Sequence, residues 1–253
     1  MRWPPWRRDD EAASRRHEVA SWTSGLPTGV TELIDRLPAP EALRQRCRAL
    51  AMLEAILTGE WEERFFHFDA HWAVGEQLAS MRDGAGDEWS ITFARPGVWV
   101  RGFAHESPMS PWKQSPDRDW LADVPERLRA AAAQPAFTGR DLHGQDLALV
   151  TVACWWQDGP GGNGGWHPVQ LRTLFPSGVD DGAEDLFTEL DGEPDTYLAH
   201  ARRQHDVELR RRDVEHVQAL HPLTEELVQR MAPGRTLADL VDDLELIDYP
   251  GGG

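Results

Sequence analysis

The amino-acid sequence predicts an α+β protein with a mainly antiparallel sheet of about five strands, an N-terminal helix and a C-terminal layer of helices. Three observations support this prediction. Apolar residues recur with a helical period between residues 41 and 57, and with a period of two between residues 89 and 103. All 12 tryptophans lie at or before Trp166, so we expect a tryptophan-rich sheet followed by a helical layer without tryptophan.

The first predicted helix lies between Pro40 and Gly59, two residue types that are typical of helix boundaries. Its apolar residues recur at intervals of three or four: Leu43, Cys47, Leu50, Leu53 and Leu57. Residues 1–28 mix tryptophan, proline and charge without a period. We therefore interpret them as a loosely ordered N-terminal arm, followed by a single domain at residues 29–253.

A β-hairpin is predicted between residues 89 and 103. Positions 89, 91 and 93 are large and apolar, while the positions between them are small or polar, as expected where side chains alternate across a sheet. Arg95-Pro96-Gly97 separates this segment from a second apolar segment at residues 98–103. Because proline and glycine suit the two central positions of a type II turn, we expect Pro96 and Gly97 to form the turn.

Three further strands and several helices complete the prediction. The run at residues 147–156 is apolar nearly throughout, which indicates a central strand covered on both faces. A glycine-rich connection should lead from it to a strand near residues 169–175, and residues 64–68 are a fifth strand candidate. Helices are expected at residues 119–133 and, from Ala183 onward, in pieces that are separated at Gly192–Pro194, His221–Pro222 and Pro233–Gly234.

The charge balance excludes two classes of partner. The chain has 26 basic and 43 acidic side chains and a net charge of −17. Binding of nucleic acid through general phosphate neutralisation, or of an anionic membrane, requires the opposite sign. Residues 1–64 are nearly balanced, so the excess acid lies in the main body of the chain. An acidic body favours a basic protein partner, because opposite charges steer association.

The small numbers of lysines and cysteines further limit the phosphate-binding and disulfide chemistry open to this chain. Lys113 is the only lysine and it follows Trp112 rather than a glycine, which excludes the phosphate-binding P-loop. Cys47 and Cys154 fall in a predicted helix and a predicted strand, which indicates buried reduced thiols and a cytoplasmic protein. The first residues lack the apolar core of a signal peptide, and no run approaches the roughly 18 apolar residues of a membrane helix. No motif predicts a cofactor.

The densest polar cluster in the sequence lies at the predicted open end of the hairpin, where the segments before and after it should be neighbours. These segments carry the residues that we assign to a partner-binding site: Asp83, Asp87, Glu88, His105, Glu106 and Trp112. A structural interpretation competes with this assignment. In that interpretation Gly84 and Gly86 adopt backbone angles that are closed to other residues, and the carboxylates satisfy loop amides.

A catalytic interpretation of the same region also remains open. His105, Glu106 and Ser107 would serve a hydrolase or a metal-assisted enzyme, because a histidine accepts a proton and a glutamate orients it. No Gly-x-Ser-x-Gly elbow and no His-Glu-x-x-His motif supports this alternative.

Metal binding is a further candidate function. His67, Asp69 and His71 would share one face of a strand, as metal ligands do, but half-buried histidines beside Phe66 and Phe68 explain the same pattern. A calcium loop at residues 83–88 is disfavoured, because its middle position lacks the oxygen ligand that calcium requires.

Two long motifs resemble a family of bacterial cytosolic proteins with no assigned activity. The first runs from Phe68 to Trp89 and reads Phe-Asp-x-His-Trp-x-x-Gly-Glu-x-x-Ala-Ser-Met-Arg-x-Gly-x-Gly-Asp-Glu-Trp. The second runs from Arg101 to Pro111 and reads Arg-Gly-Phe-Ala-His-Glu-Ser-Pro-Met-Ser-Pro. The resemblance covers roughly residues 60–250. It implies one continuous domain and no particular chemistry.

A shorter pattern is similar to the middle of the SUKH superfamily, whose bacterial members often neutralise toxins by binding them. It consists of Gly84 to Asp87, two strands and His105-Glu106. This resemblance implies a toxin-immunity function at these residues. Together with the acidic body, it leads to the hypothesis of a non-enzymatic cytoplasmic interaction protein that binds a basic protein, such as a toxin.

Overall fold

A computed structural model describes residues 28–95, 97–113, 120–134, 138–140, 144, 146–158, 164–169, 171 and 179–251. The fold is α+β, as predicted, with a six-stranded antiparallel sheet and helices from both ends of the chain. The helices are α1 (Thr28–Arg36), α2 (Pro40–Leu57), α3 (Glu126–Ala132), α4 (Ala183–Leu186), α5 (Pro194–His205), α6 (Arg211–Gln218), α7 (Glu225–Met231) and α8 (Val241–Ile247). The strands are β1 (Phe66–Ala73), β2 (Glu76–Arg82), β3 (Glu88–Ala94), β4 (Gly97–Phe103), β5 (Thr138–Arg140), β6 (Asp146–Ala148), β7 (Val152–Gln157) and β8 (Gly165–Pro168).

The six-stranded sheet has the order β1–β2–β3–β4–β7–β8, and every neighbouring pair is antiparallel. Strands β5 and β6 form a separate two-stranded sheet. Strand β1 is therefore an edge of the main sheet. It is also the strand that α2 and α8 contact most extensively, so this edge meets helices from both ends of the chain.

The two faces of the sheet are covered by different elements. The larger core contains Val152 and Cys154 together with apolar residues of α2 and the C-terminal helices. A smaller core on the opposite face contains Trp99 and Ala153, which pack with Leu128 of α3. The prediction that the middle of the 147–156 run is covered on both faces is confirmed. Within the described part of the chain, no helix is both long and apolar enough to span a bilayer.

Helix α2 forms where the apolar period predicts it. Leu43, Cys47, Leu50 and Leu53 are buried against the sheet and the C-terminal helices. Pro40 begins the helix, where its missing N–H costs nothing. Cys47 and Cys154 are both free and buried, as expected, and burial strongly raises the pKa of each thiol.

The predicted hairpin is confirmed, but its turn differs from the expectation. Ala94 pairs with Gly97, so Gly97 is a strand residue and not a central residue of a type II turn. Pro96 lies outside the described residues. The glycine is needed for a different reason: a Cβ at position 97 would lie 2.4 Å from the carbonyl oxygen of Trp156 on β7. Its φ of +147° also disfavours other residues.

Three predicted strands have different bounds in the structure. The 147–156 run is divided between β6, which pairs with β5, and β7, which pairs with β4. Between them, the Leu149 carbonyl accepts from the Arg101 side chain, and the Thr151 hydroxyl accepts from the N–H of Ala104. Val150, Val152 and Cys154 are nevertheless buried as expected. The strand that follows β7 is β8, which ends at Pro168, just before the predicted 169–175 range. Of that range, only residues 169 and 171 are described, and neither is in a strand. The 64–68 candidate is β1, which begins later and is longer.

The helical predictions hold with two refinements. The 119–133 segment consists of a 3₁₀ turn at Trp120–Asp123 followed by α3, since Pro125 begins a new helix. From Ala183 onward the chain is helical in short pieces, with breaks near the three predicted points and a further break between His205 and Arg211 that was not predicted. Helix α1 and strands β2 and β5 are additions that were not predicted from the sequence.

Candidate functional site

The loop before the hairpin is held by one aspartate. Oδ1 of Asp83 accepts hydrogen bonds from the backbone N–H groups of Ala85, Gly86 and Asp87, at 2.8, 2.9 and 2.9 Å. Gly84 and Gly86 have φ angles of +74° and +123°, which few other residues adopt. This part of the loop therefore has the features of the structural interpretation.

Asp87 joins this loop to the segment after the hairpin. Its Oδ1 accepts from the backbone N–H of His105 at 2.8 Å and lies 2.7 Å from Nδ1 of the same histidine. The structure thus brings Asp83, Asp87 and His105 to one place, as the hairpin register requires. The carboxylate of Asp87 orients the imidazole ring and leaves its Nε2 directed outward, 3.8 Å from Glu106.

The other residues assigned to this region have separate environments. Glu88 lies 2.6 Å from the guanidinium of the buried Arg101, so its charge is already compensated. Glu106 has an exposed side chain. Ser107 is buried, and its hydroxyl donates to the carbonyl of Asp180 at 2.8 Å rather than to His105. Trp112 is 54 % exposed and packs edge-on against Phe103.

A groove of about 380 Å³ lies beside this loop, between β1, β2, the 3₁₀ turn at Trp61–Glu63 and α8. We call it the aromatic groove. The residues of its lining that bear on binding are Trp61, Glu62, His67, Asp69, Trp72 and Arg82. Trp61 is 51 % exposed and Trp72 is 37 % exposed, although both are large aromatic residues. Gly84 also lines the groove, which places the hairpin loop at one end of it.

His67 fixes the position of Trp61. The two rings lie 4.3 Å apart between centroids, and Nε2 of His67 lies 3.1 Å from the Trp61 carbonyl oxygen. Burial lowers the pKa of His67, so the ring is neutral at pH 7 and adds no positive charge to the groove. Arg64, also in the lining, is buried in a two-point ion pair with Asp243 of α8. Arg82 is exposed, with Glu88 at 3.7 Å.

The three candidate metal ligands on β1 lie in different environments. His67 and Asp69 line the aromatic groove, whereas His71 is exposed and its backbone N–H donates to Oδ1 of Asp69. Among the described residues, a different set has ligand atoms that all lie within 4.8 Å of one another. It consists of Glu54, His200 and His205. We call this set the Glu–His–His cluster.

The Glu–His–His cluster lies between α2 and α5, behind the start of β1. Oε1 of Glu54 is 3.1 Å from Nε2 of His205 and 3.3 Å from Nε2 of His200, and it accepts from the Tyr197 hydroxyl at 3.0 Å. Oε2 of Glu54 accepts from the backbone N–H of Phe65 at 2.9 Å. Glu54 and His200 are 0 % and 2 % exposed, so this is a polar site enclosed by the core.

The charges in the cluster support one another. Burial alone would raise the pKa of Glu54, but the close imidazoles of His200 and His205 outweigh it and lower this pKa to about 2. Burial would lower the pKa of His200, yet the carboxylates of Glu189 and Glu54 raise it. Burial and the neighbouring Glu54 raise the pKa of Tyr197 well above its ordinary value. The cluster is thus an ionised carboxylate surrounded by donors.

The sequence analysis did not identify the cluster or the aromatic groove as a unit. The available signal for Glu54 is its place among apolar residues on the buried side of α2. The histidines are five residues apart at the end of α5, a spacing that occurs in zinc sites, but the sequence holds no pair of closely spaced cysteines to accompany them. Trp61 and Trp72 of the groove are close in the sequence, but Leu246 of α8 is far from both, so only the fold completes the groove.

Comparisons with known proteins add no identification: no family model matches this chain, and no curated protein or solved structure matches it at a significant level. The fold and the sites described above define an α+β protein with an antiparallel sheet, a half-exposed aromatic groove and a buried polar cluster.

Proposed function

We propose that this chain is a non-enzymatic cytoplasmic interaction protein that binds a basic protein partner, and that the aromatic groove is its binding site. The observation that supports the proposal is the pair of half-exposed tryptophans, Trp61 and Trp72, beside the carboxylates of Glu62 and Asp69.

The chemistry of the groove suits a basic side chain. Tryptophan is the aromatic residue that attracts a guanidinium or ammonium most strongly, and buried tryptophans dominate the energy of many interfaces. A partner arginine that enters between Trp61 and Trp72 would stack on an indole face and meet Glu62 or Asp69. Since His67 is neutral and Arg64 is paired within the protein, Arg82 is the groove residue that opposes such a partner.

The charge of the helical layer would steer the same partner. Residues 183–253 contain 17 acidic and 7 basic side chains, and α8 of this layer borders the groove. Exposed carboxylates such as Asp242 and Glu245 add to this field. Their long-range attraction raises the rate of association more than it raises affinity.

A toxin-immunity function is the more specific form of the proposal. It draws on the resemblance of Gly84 to Asp87 and His105-Glu106 to the SUKH superfamily, and on the position of Gly84 at one end of the groove. A nuclease toxin has a basic surface, because it binds phosphates. An acidic protein with exposed aromatic side chains complements such a surface in shape and in charge.

The test is capture of a partner by the full-length chain from cytosolic extract of its native source, at about 50 mM and about 300 mM salt. The expected partner is basic and is recovered less well at the higher salt. Its affinity for the purified chain should fall at least about tenfold in a Trp61→Ala/Trp72→Ala variant. Trp112→Ala removes an equally exposed tryptophan outside the groove and is the matched control. It should bind normally if the groove is the site, and it should lose binding if the site is instead the hairpin-end cluster to which the sequence assigns Trp112. A partner that is indifferent to salt, or that binds the double variant as well as the wild type, would contradict the proposal.

A further inference from the structure

Two of the three separations between donor atoms of the Glu–His–His cluster match those of a zinc site. Four ligands at the usual zinc distances of about 2.0–2.1 Å form a tetrahedron with edges of about 3.3 Å. Oε1 of Glu54 lies 3.1 Å from Nε2 of His205 and 3.3 Å from Nε2 of His200. All three atoms lie within 4.8 Å of one another.

In both histidines, the Nδ1 atom on the side of the ring away from Glu54 has a partner that orients the ring for metal binding. Nδ1 of His200 lies 3.4 Å from Oε1 of Glu189, and Nδ1 of His205 lies 3.4 Å from the Thr58 hydroxyl. In metal sites, a ligating histidine almost always uses its second nitrogen in this way, which leaves the other nitrogen as a lone-pair donor. Here it is the Nε2 atoms that face Glu54.

One of these inner nitrogens is unsatisfied within the protein. Nε2 of His200 is buried and makes no hydrogen bond of acceptable geometry, although Glu54 is close enough for charge attraction. Buried polar nitrogens rarely lack a partner, because the loss of water is not compensated. A hydrogen-bonded cluster without a metal explains the contacts of His205 and Tyr197 but leaves this atom orphaned.

We propose that Glu54, His200 and His205 bind one divalent transition-metal ion, zinc in the first instance, between α2 and α5. The inference goes beyond the proposed interaction function and does not depend on it. Two imidazoles and one carboxylate are ligands that zinc accepts, and a fourth position is left for a water molecule beside the Tyr197 hydroxyl.

The environment gives such an ion a structural role. Glu54 and His200 are buried and His205 is 11 % exposed at its side chain, so a substrate has little access to the site. The ring of Phe65 lies edge-on to both histidines and closes the site from the side of β1. The ion would connect α2 to the end of α5, two elements that are far apart in the sequence.

The experiment uses the full-length chain without an affinity tag. The metal content is measured by elemental analysis after purification without chelators, and the chelator-treated chain is titrated with Zn²⁺ against a chromophoric competitor. We expect one zinc per chain with a dissociation constant below about 1 μM, and a melting temperature that rises with added zinc. Addition of Co²⁺ should give the visible absorption of a tetrahedral complex.

Variants separate this site from incidental binding. Glu189→Gln retains the three ligands and alters the partner of His200, together with an exposed contact to Arg203, and it should weaken zinc binding by about 10- to 100-fold while the chain stays folded. His205→Ala should abolish binding. His216→Ala, on the neighbouring helix α6, is the control and should bind as the wild type does. No saturable zinc binding by the wild type, or equal affinity in the wild type, Glu189→Gln and His205→Ala, would overturn the proposal. If His205→Ala does not fold, Glu189→Gln alone decides.

Discussion

Replacement of Gly86 with alanine tests the structural interpretation of the hairpin loop. A Cβ at this position would lie 3.1 Å from Cγ and 3.2 Å from Nδ1 of His105. The ring cannot move away freely, because its Nδ1 is held 2.7 Å from Asp87. The φ of +123° adds backbone strain of about 1–3 kcal/mol for any residue with a Cβ.

The expected loss follows from these two effects. Displacement of the His105 ring loses a hydrogen bond to a carboxylate, which contributes about 1.5 kcal/mol at a half-exposed site. With the backbone strain, Gly86→Ala should lower the free energy of unfolding by about 3 kcal/mol. Gly84→Ala is the matched control, since position 84 has a φ of +74° but no atom within 4 Å of the added Cβ. It should lose only about 1 kcal/mol.

Urea unfolding at 25 °C and pH 7, followed by tryptophan fluorescence and circular dichroism, measures both variants. Equal losses in Gly84→Ala and Gly86→Ala would show that the contact with His105 contributes nothing, and would refute the reasoning. Asp87→Asn, which keeps an acceptor oxygen for His105, should lose less than Gly86→Ala.

Asp87→Asn and His105→Gln also separate the functions that the sequence leaves open. If the aromatic groove binds the partner, both variants should capture it normally. If the loop itself is the binding site or a catalytic site, they should stay folded and lose capture or turnover, because the charge or the proton-accepting nitrogen is then required. The turnover arm uses generic ester, phosphate and amide substrates.

Three further changes have defined outcomes. Val152→Asp places a carboxylate at a position that is 0 % exposed, so it should cost several kcal/mol, and an unchanged melting temperature would contradict the assignment of β7 to the core. Burial raises the pKa of Asp181 above its ordinary 3.8, so the folded chain loses stability as pH rises from 3.8 through that raised value. Asp181→Asn lacks this titration, and its deficit relative to the wild type, measured by urea unfolding from about pH 4 to 7, should shrink as pH rises; a constant deficit would contradict this. Arg64→Lys should cost about 2–4 kcal/mol, because a lysine cannot bond Asp243 and the carbonyls of Thr58 and Gly59 together; wild-type stability would contradict the geometry.

The sequence predicts the elements best where the period is local. Helix α2 and the hairpin follow from spacing alone, since each buries one face that can be read along the chain. Strand β2 was missed because Gln77 to Ser80 does not alternate cleanly between apolar and polar. The division of the 147–156 run could not be predicted, because it depends on the pairing of β6 with β5 and of β7 with β4.

The sites were less predictable than the elements, because most of them depend on contacts between residues that are far apart in the sequence. The register of the hairpin was enough to bring Asp87 and His105 together, because they are neighbours across adjacent strand ends. The way in which Asp83 uses one oxygen for three amides follows from the local loop alone. In contrast, Glu54 of α2 and His200 of α5 meet only in the tertiary structure, over a sequence separation that no local pattern records.

The buried cluster and the groove are coupled through the segment that leads into β1. Oε2 of Glu54 holds the backbone N–H of Phe65, while the Arg64 side chain ties the Thr58 and Gly59 carbonyls to Asp243 of α8. In the sequence, Trp61 lies between these two sets of hydrogen bonds. Its ring is 51 % exposed, so the core contributes little to holding it in place. An exposed indole binds well only if its conformational entropy is already restricted. The polar bonds on both sides of Trp61 restrict the backbone on which its indole stands, so Trp61 would lose less conformational entropy if the groove binds the proposed partner.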